Sequence, residues 1–90
     1  MKKFNLGVCV STPAAQVLLN EFDKSIEDLI KRHASCDWGD VCEEDSIAND
    51  LAIDDGEQIL SVYNLTADKS VYVITDGNRA VTTVLLPEDY

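Results

Sequence analysis

The last third of the chain alternates between strand-like runs and short turns, and this pattern constrains the fold more than any other feature. Three runs rich in β-branched and aromatic residues follow one another: QILSVYNL (58–65), SVYVIT (70–75) and AVTTVLL (80–86). The turns between them, TADK and DGNR, are short and polar. Runs of this kind bounded by turn residues are typical of strands, and short turns join antiparallel neighbours. The sequence therefore predicts an antiparallel sheet here, with Pro87 ending the last strand.

The N-terminal segment predicts one more strand. Residues 4–10, FNLGVCV, alternate so that Leu6, Val8 and Val10 share one face, which is the period expected of a strand. Cys9 points away from that face and is expected to be packed. The apolar run is about five residues long, shorter than the roughly 7–15 of a secretory signal. We therefore expect a strand and no export signal.

Two helices are predicted between this strand and residue 36. Thr12 is a natural N-cap and Pro13 suits the first helical position, so the first helix should run to about Phe22. Ser25 can cap a second helix that ends near Cys36. The apolar stripe of this second helix, at the spacing i, i+3, i+4 and i+7, consists of Ile26, Leu29, Ile30 and His33.

A third helix is predicted at about 41–54. The preceding DWGD stretch has the composition of a turn, and Asp40 is predicted as the N-cap, with Glu43 completing a capping box. Gly56 stands where a C-terminal glycine is common. The residues predicted to face the core are Ile47, Ala48 and Leu51.

These elements predict a single α+β domain over residues 1–90, in the order β-α-α-α-β-β-β. An antiparallel sheet of three to four strands would pack on one face against two to three helices. The hydrophobic content of 46% is that of a globular protein. The residues expected to supply the core are Leu18, Phe22, Leu29, Ile30, Ile59, Val73 and Val84.

Charge and cysteine content narrow the possible partners. The formal net charge is −10, from 17 acidic and 7 basic residues, and no Lys or Arg lies between Arg32 and Lys69. A chain without a basic face is not expected to bind nucleic acid or an anionic membrane, whereas a basic protein surface fits. The odd number of cysteines, three, indicates free thiols and a cytoplasmic location.

The segment 33–56 raises the question of a metal. His33, Cys36 and Cys42 are zinc-type ligands, but their H-x2-C-x5-C spacing lacks the close pairing and fourth ligand of a structural site. The acids from Asp37 to Asp45 could supply oxygens to a divalent cation, yet they do not match an EF-hand loop. We therefore predict no cofactor, and keep as an alternative a small divalent-metal-assisted hydrolase using His33, Asp37 and Asp40.

The same segment contains a row of carboxylates and a polar cluster. Glu43, Asp50 and Asp54 recur at helical spacing, with Asp40 extending the row, so the predicted binding surface is acidic. The alternative interpretation is that these carboxylates only form a solvated helix face. A polar cluster is predicted from His33, Asp37, Trp38 and Asp40. In it, His33 is expected to lie in the core, and Trp38 to cover the core between the second and third helices rather than to be an exposed anchor.

Several motifs together resemble a family of short plasmid-related proteins of mobile DNA in bacteria. They are STPAA near the start, RH…DWGDVCEED and ND…DG…ILSVY in the middle, and VITDGNRAVTTVLLPEDY at the end. The resemblance spans nearly the whole chain and implies no established activity, so it supplies no catalytic residues. The chain departs from the family at Tyr72, where a Trp is usual, and at 78–80, where Asn-Arg-Ala stands in place of Asp-Arg-Ser.

Charge, size and resemblance together predict a non-enzymatic, acidic, protein-binding accessory module of a mobile element. One form of this hypothesis is a DNA mimic that opposes a host DNA-binding or DNA-modifying protein. Two alternatives stay open at this point. One is the hydrolase described above, and the other is a structural or oligomeric domain that buries Trp38 and Tyr63 against a copy of itself.

Overall fold

The computed structural model describes residues 3–90 and has the predicted α+β organisation, in the predicted order β-α-α-α-β-β-β. The elements are β1 (Val8–Ser11), α1 (Pro13–Glu21), α2 (Ile26–Ala34), α3 (Glu43–Asp55), β2 (Ile59–Asn64), β3 (Ser70–Thr75), β4 (Val81–Leu85) and a 3-10 turn at Pro87–Asp89.

The four strands form one sheet in the order β1-β4-β3-β2. The three C-terminal strands pair antiparallel, as their short turns predict. The prediction of a purely antiparallel sheet is wrong, because β1 pairs parallel with β4. Short turns fix the direction of neighbouring strands, whereas three helices separate β1 from the others, so the sequence around β1 contains no signal for its direction.

The first two helices begin where their capping residues predict. The hydroxyl of Thr12 accepts a hydrogen bond from the backbone N–H of Ala15 at 3.2 Å. The hydroxyl of Ser25 does the same for the N–H of Asp28 at 3.1 Å. In each case one of the unpaired N–H groups of the first helical turn is satisfied by the side chain before it.

The third helix begins two residues later than its capping signal predicts. Its N-cap is Cys42, which makes no side-chain capping bond. The predicted N-cap, Asp40, instead accepts a hydrogen bond from the backbone N–H of Asn64 at 2.8 Å. This acid is used by strand β2, which no local helix rule can anticipate. At the other end, Gly56 takes the expected left-handed conformation (φ 71°).

The main core lies between the sheet and the first two helices. Leu29, Val73 and Val84 are buried in this core as predicted, and Ile59 is buried in a second, smaller core. Leu18 and Ile30 are partly buried against this core, and Phe22 is also partly exposed. The buried side chains that join α1 and α2 to the sheet are Ala15, Leu19, Leu29, Tyr63, Val71, Val73 and Val84.

The first strand is shorter and more exposed than its sequence predicts. It starts at Val8 rather than Phe4, since Gly7 has a left-handed backbone (φ 67°) that ends the extended run before it. Val8 and Val10 are 66% and 43% exposed, and Cys9 is also exposed rather than packed. Val8 and Val10 share one face of the strand, as the alternation predicts. Because β1 lies at the edge of the sheet, this face is largely exposed.

Helix α3 is rotated relative to its predicted orientation. Ile47 and Leu51, predicted to face the core, are 54% and 58% exposed, and Ala48 is exposed as well. The buried residues of the helix are Asn49 and Ala52. The helix therefore turns two large apolar side chains towards solvent and a polar amide inwards.

Candidate functional site: His33, the 37–40 segment and helix α3

His33 lies at the centre of a fully buried polar cluster. Its ring is 0% exposed, which confirms the expectation of a core histidine. The Nδ1 atom lies 2.5 Å from the hydroxyl oxygen of Ser61, and Nε2 lies 2.9 Å from that of Thr75. Asp37 and Asp40, which were predicted to form a polar cluster with His33, are not its hydrogen-bond partners. Ser61 and Thr75 come from strands β2 and β3, which approach α2 only in the folded chain.

The hydrogen-bond directions in this cluster can be deduced from Thr82, the residue at the end of the hydrogen-bond chain. The hydroxyl of Thr82 donates to the carbonyl oxygen of Leu6 at 2.7 Å, so the hydroxyl of Thr75, 2.7 Å away, must donate to Thr82. Since a hydroxyl has one proton, Thr75 accepts from Nε2–H of His33. Nδ1 is then the acceptor for Ser61. The cluster thus selects the neutral Nε2–H tautomer of the ring.

Burial has a direct electrostatic consequence for this ring. Removing the imidazole from water disfavours its charged form and lowers the pKa of His33 from 6.5 to about 4. The ring is therefore neutral at physiological pH and both of its nitrogens are occupied by hydroxyls. A histidine in this state joins α2 to the sheet and is not presented to a substrate.

Trp38 packs beside this histidine, as a cover over a second, smaller core. It is 5% exposed and contacts Ala52 and Ile59 in that core. Its ring lies edge-on to His33, with centroids 5.7 Å apart, and its Nε1–H donates to a carboxylate oxygen of Asp50 at 3.1 Å. Asp50, predicted as part of the acidic row, is thus hydrogen-bonded to a buried indole.

Phe4 completes this aromatic group, although it was predicted only as the start of a strand. Its ring meets that of His33 edge-on at a centroid distance of 5.3 Å and lies 6.0 Å from the ring of Trp38. Because Trp38 and Tyr63 are both buried within one chain, neither offers surface to a second copy.

Asp37 forms an ion pair on the outer side of the cluster. One carboxylate oxygen lies 2.7 Å from Nε of Arg32, and the other accepts from the backbone N–H of Gly39 at 3.1 Å. The hydrogen bond from Arg32 lowers the pKa of the Asp37 carboxyl and raises that of the guanidinium. The guanidinium also lies 4.4 Å above the ring of Tyr63. The Asp37 carboxylate therefore joins Arg32 to the turn at Gly39.

The 37–40 segment closes the outer edge of strand β2. The backbone N–H of Val62 donates to Trp38 at 3.0 Å, its carbonyl accepts from the N–H of Asp40 at 2.6 Å, and Gly39 forms a parallel β-bridge to it. The hydroxyl of Tyr63 donates to the carbonyl of Asp37 at 2.7 Å. The DWGD stretch thus behaves as a short fifth strand.

The predicted hydrolase residues are not brought together by these contacts. His33 is bonded to hydroxyls in the core, whereas Asp37 pairs with Arg32 and Asp40 bonds to the backbone of strand β2. Within residues 3–90, no group of three or more His, Cys, Asp or Glu side chains is arranged to hold a metal ion.

The outward face of α3 combines apolar and acidic side chains. Ile47 and Leu51 are more than half exposed and lie one turn apart on the same face of the helix. Helical spacing places the exposed acids Glu43 and Glu44 one turn before Ile47, and Asp54 and Asp55 one turn after Leu51. We call these six residues the acidic-apolar face; they are Glu43, Glu44, Ile47, Leu51, Asp54 and Asp55.

Arg79 holds the C-terminal end of α3, a role that was missed in the sequence. Its guanidinium donates to the carbonyl of Ala52 at 2.6 Å, to that of Glu57 at 2.7 Å and to that of Asp76 at 3.1 Å. A cation against the last carbonyls of a helix is favourable, and the fork of an arginine can reach several at once.

Comparisons with protein-family models, with curated proteins and with solved structures give no significant match. Over residues 3–90, no helix combines the length and the apolar character needed to cross a bilayer.

Proposed function

We propose that this protein is an acidic protein-binding module and that the acidic-apolar face of α3 is its binding surface. The observation that carries the proposal is the exposure of Ile47 and Leu51, 54% and 58%, one turn apart on the same face of the helix. Hydrogen bonds between the side chain of Asn49 and the backbone of Leu60 hold α3 in this rotation. A partner that covers the two side chains would gain up to roughly 1.5–3 kcal/mol from each.

The charges around this apolar pair define the partner's chemistry. Acids stand one turn before and one turn after it, and α3 has no basic residue in its last turn. A partner with an apolar pocket bordered by Lys or Arg would bury Ile47 and Leu51 and place opposite charges at the rim, which is the usual anatomy of an interface. Complementary charges would also speed the encounter.

This arrangement favours a mixed protein interface over close mimicry of a DNA backbone. A backbone mimic needs freely presented carboxylates, yet Asp50, in the middle of the predicted row, accepts a hydrogen bond from Trp38 at 3.1 Å. DNA phosphates also have no apolar strip between them. The proposed partner is therefore a basic protein that uses side-chain pockets, and a host DNA-acting protein is one class that meets this description. The resemblance to plasmid-related proteins supports a role in a mobile element, in the cytoplasm.

The test is capture of a partner from a bacterial lysate with a set of matched variants. Ile47→Ser with Leu51→Ser removes the apolar pair without changing charge. Glu44→Lys with Asp55→Lys reverses two acids on the same face and changes the net charge from −10 to −6. The control Glu21→Lys with Glu27→Lys gives the same −6 from exposed positions on α1 and α2.

A specific face predicts that both α3 variants lose the captured protein while the control retains it. Because exposed charges are screened over about 8 Å at physiological ionic strength, capture should also weaken as salt is raised. If all three variants capture the same protein as the parent, or if the control loses it as fully as the α3 charge variant, the proposal is wrong and α3 is only a solvated helix.

A further inference from the structure

The two edges of the sheet differ in whether their outward-facing backbone groups have hydrogen-bond partners. On the β2 edge, the outward-facing backbone groups of Leu60 are bonded to the side chain of Asn49, and those of Val62 to the 37–40 segment. The N–H of Asn64 is bonded to the carboxylate of Asp40. This edge is sealed along its length, so no further strand can join it.

None of the residues that the structure describes covers the β1 edge in this way. The N–H of Val8 donates to the carbonyl of Ala80, directly before β4, at 3.0 Å, and that of Thr12 donates to the carbonyl of Val84 in β4 at 2.9 Å. In a parallel ladder alternate residues face the neighbour, so the backbone groups of Cys9 and Ser11 face outward. Among residues 3–90, no strand or bridge lies beyond β1. The strand also contains none of the charged or proline residues that usually protect a free edge.

The charge distribution indicates what can approach this edge. No acid precedes Glu21 in the sequence, and β4 has no charged residue either, in a chain of net charge −10. Two copies of so acidic a protein repel each other wherever their carboxylates meet. The β1 edge is a surface where a second copy meets few of them, and a cationic partner would be drawn to α3 instead.

We propose that two copies of the chain pair through their β1 strands, antiparallel and centred on Cys9, to form one continuous sheet. In this register Cys9 lies opposite Cys9 of the second copy, and their outward N–H and C=O groups exchange two hydrogen bonds. Val8 of each copy then lies opposite Val10 of the other. These exposed β-branched side chains become cross-strand pairs, which stabilise a sheet.

The antiparallel direction is also the one that the flanking charges favour. The carboxylate of Asp89 reaches the C-terminal end of β1, where it accepts a hydrogen bond from Thr12 at 3.0 Å. Antiparallel pairing centred on Cys9 places the two Asp89 carboxylates at opposite ends of the paired strands. Parallel pairing would instead place the two Asp89 carboxylates side by side. The interface of a four-residue strand is small, so the dimer is weak and depends on protein concentration.

Cys9 itself provides the test. Residues opposite each other in a hydrogen-bonded antiparallel pair have Cα atoms about 5.5 Å apart, a distance that a disulfide spans. A Cys36→Ser, Cys42→Ser chain retains only Cys9, and a Cys9→Ser, Cys36→Ser chain retains only the exposed Cys42. Each is treated with diamide, which takes two electrons and two protons from a pair of thiols, and the covalent dimer is followed on non-reducing gels.

The Cys9 chain should cross-link at least about tenfold faster than the Cys42 chain, because pairing turns a random encounter into a local reaction. Adding Val10→Lys to the Cys9 chain should slow cross-linking several-fold, with an unchanged circular dichroism spectrum. Adding Thr83→Lys, on the neighbouring strand in register with Val10, should not. Equal rates for the two single-cysteine chains overturn the proposal. So does an effect of Thr83→Lys as large as that of Val10→Lys, which would indicate face-to-face stacking.

Discussion

The side chain of Asn49 on α3 makes two hydrogen bonds with the backbone of Leu60 on β2. Its Nδ2 donates to the carbonyl of Leu60 at 2.7 Å, and its Oδ1 accepts from the N–H of Leu60 at 3.1 Å. The amide therefore occupies the place of a neighbouring strand. The contact fixes the rotation of α3 about its axis, and with it the exposure of Ile47 and Leu51.

Asn49→Leu should destabilise the protein although it places an apolar residue at a buried position. It leaves the N–H and C=O of Leu60 without these partners, and an orphaned polar group costs about 1–3 kcal/mol. The free energy of unfolding from urea titration measures the loss. Asn49→Asp is the companion variant: it keeps an acceptor for the N–H of Leu60 but removes the donor to its carbonyl. If Asn49→Leu is as stable as the parent, the amide does not position the helix.

His33→Leu should destabilise the protein at pH 7.5 by about 1–3 kcal/mol, because Ser61 and Thr75 each lose a buried partner. The histidine also adds a pH dependence. Its pKa is about 4 in the folded protein against 6.5 when unfolded. Above pH 6.5 both states are neutral and the ring contributes no slope. Between pH 6.5 and 4 the unfolded chain takes up a proton that the folded one does not, so stability falls as pH falls, by about 3 kcal/mol in total.

The measurement is urea unfolding of parent and His33→Leu at several pH values from 7.5 to 4. The two proteins differ only at position 33, so the difference between their free energies of unfolding isolates the contribution of the histidine. The amount by which the free energy of unfolding of His33→Leu falls below that of the parent should shrink as the pH is lowered. A difference that stays constant across this range would show that the ring titrates normally in the folded protein.

Gly39→Ala should destabilise the protein more than Gly56→Ala does. Both glycines have left-handed backbones, with φ of 76° and 71°, so both substitutions carry the strain of that conformation, roughly 1–2 kcal/mol. A Cβ on Gly39 would also overlap the carbonyl oxygen of Val62 and lie 2.5 Å from Cδ1 of Tyr63, whereas one on Gly56 meets nothing within 4 Å. Thermal melts of the two variants separate backbone strain from the close approach of the 37–40 segment to β2.

Arg79→Ala should cost about 2–3 kcal/mol of stability, since charged hydrogen bonds to three carbonyls are lost. Arg79→Lys keeps the positive charge at the end of α3 but not the fork, so it should recover only part of the loss. Chemical denaturation of the three proteins at low and high salt tests this. Full recovery by lysine would mean that the charge at the helix end, and not the geometry of the guanidinium, stabilises this corner.

Local sequence patterns determined the elements of this protein and their order. Thr12, Pro13 and Ser25 started their helices, Gly56 ended one, and the strand runs after it became a meander, because capping, turns and alternation act over a few residues. The burial of His33 also followed from its helical spacing. The acid excess, and with it the class of partner proposed here, was visible from composition alone.

Tertiary structure decided what depends on distant residues. Three helices and two strands separate β1 from β4 in the sequence. No local signal therefore encodes the parallel pairing of these two strands. The rotation of α3 was decided by the need of Leu60 for hydrogen-bond partners, which outweighed the apolar spacing of Ile47 and Leu51. For the same reason Asp40 accepts a hydrogen bond from the backbone of β2 instead of capping α3. Backbone groups at the edge of a sheet must be satisfied, and which side chains satisfy them is determined only when the chain has folded.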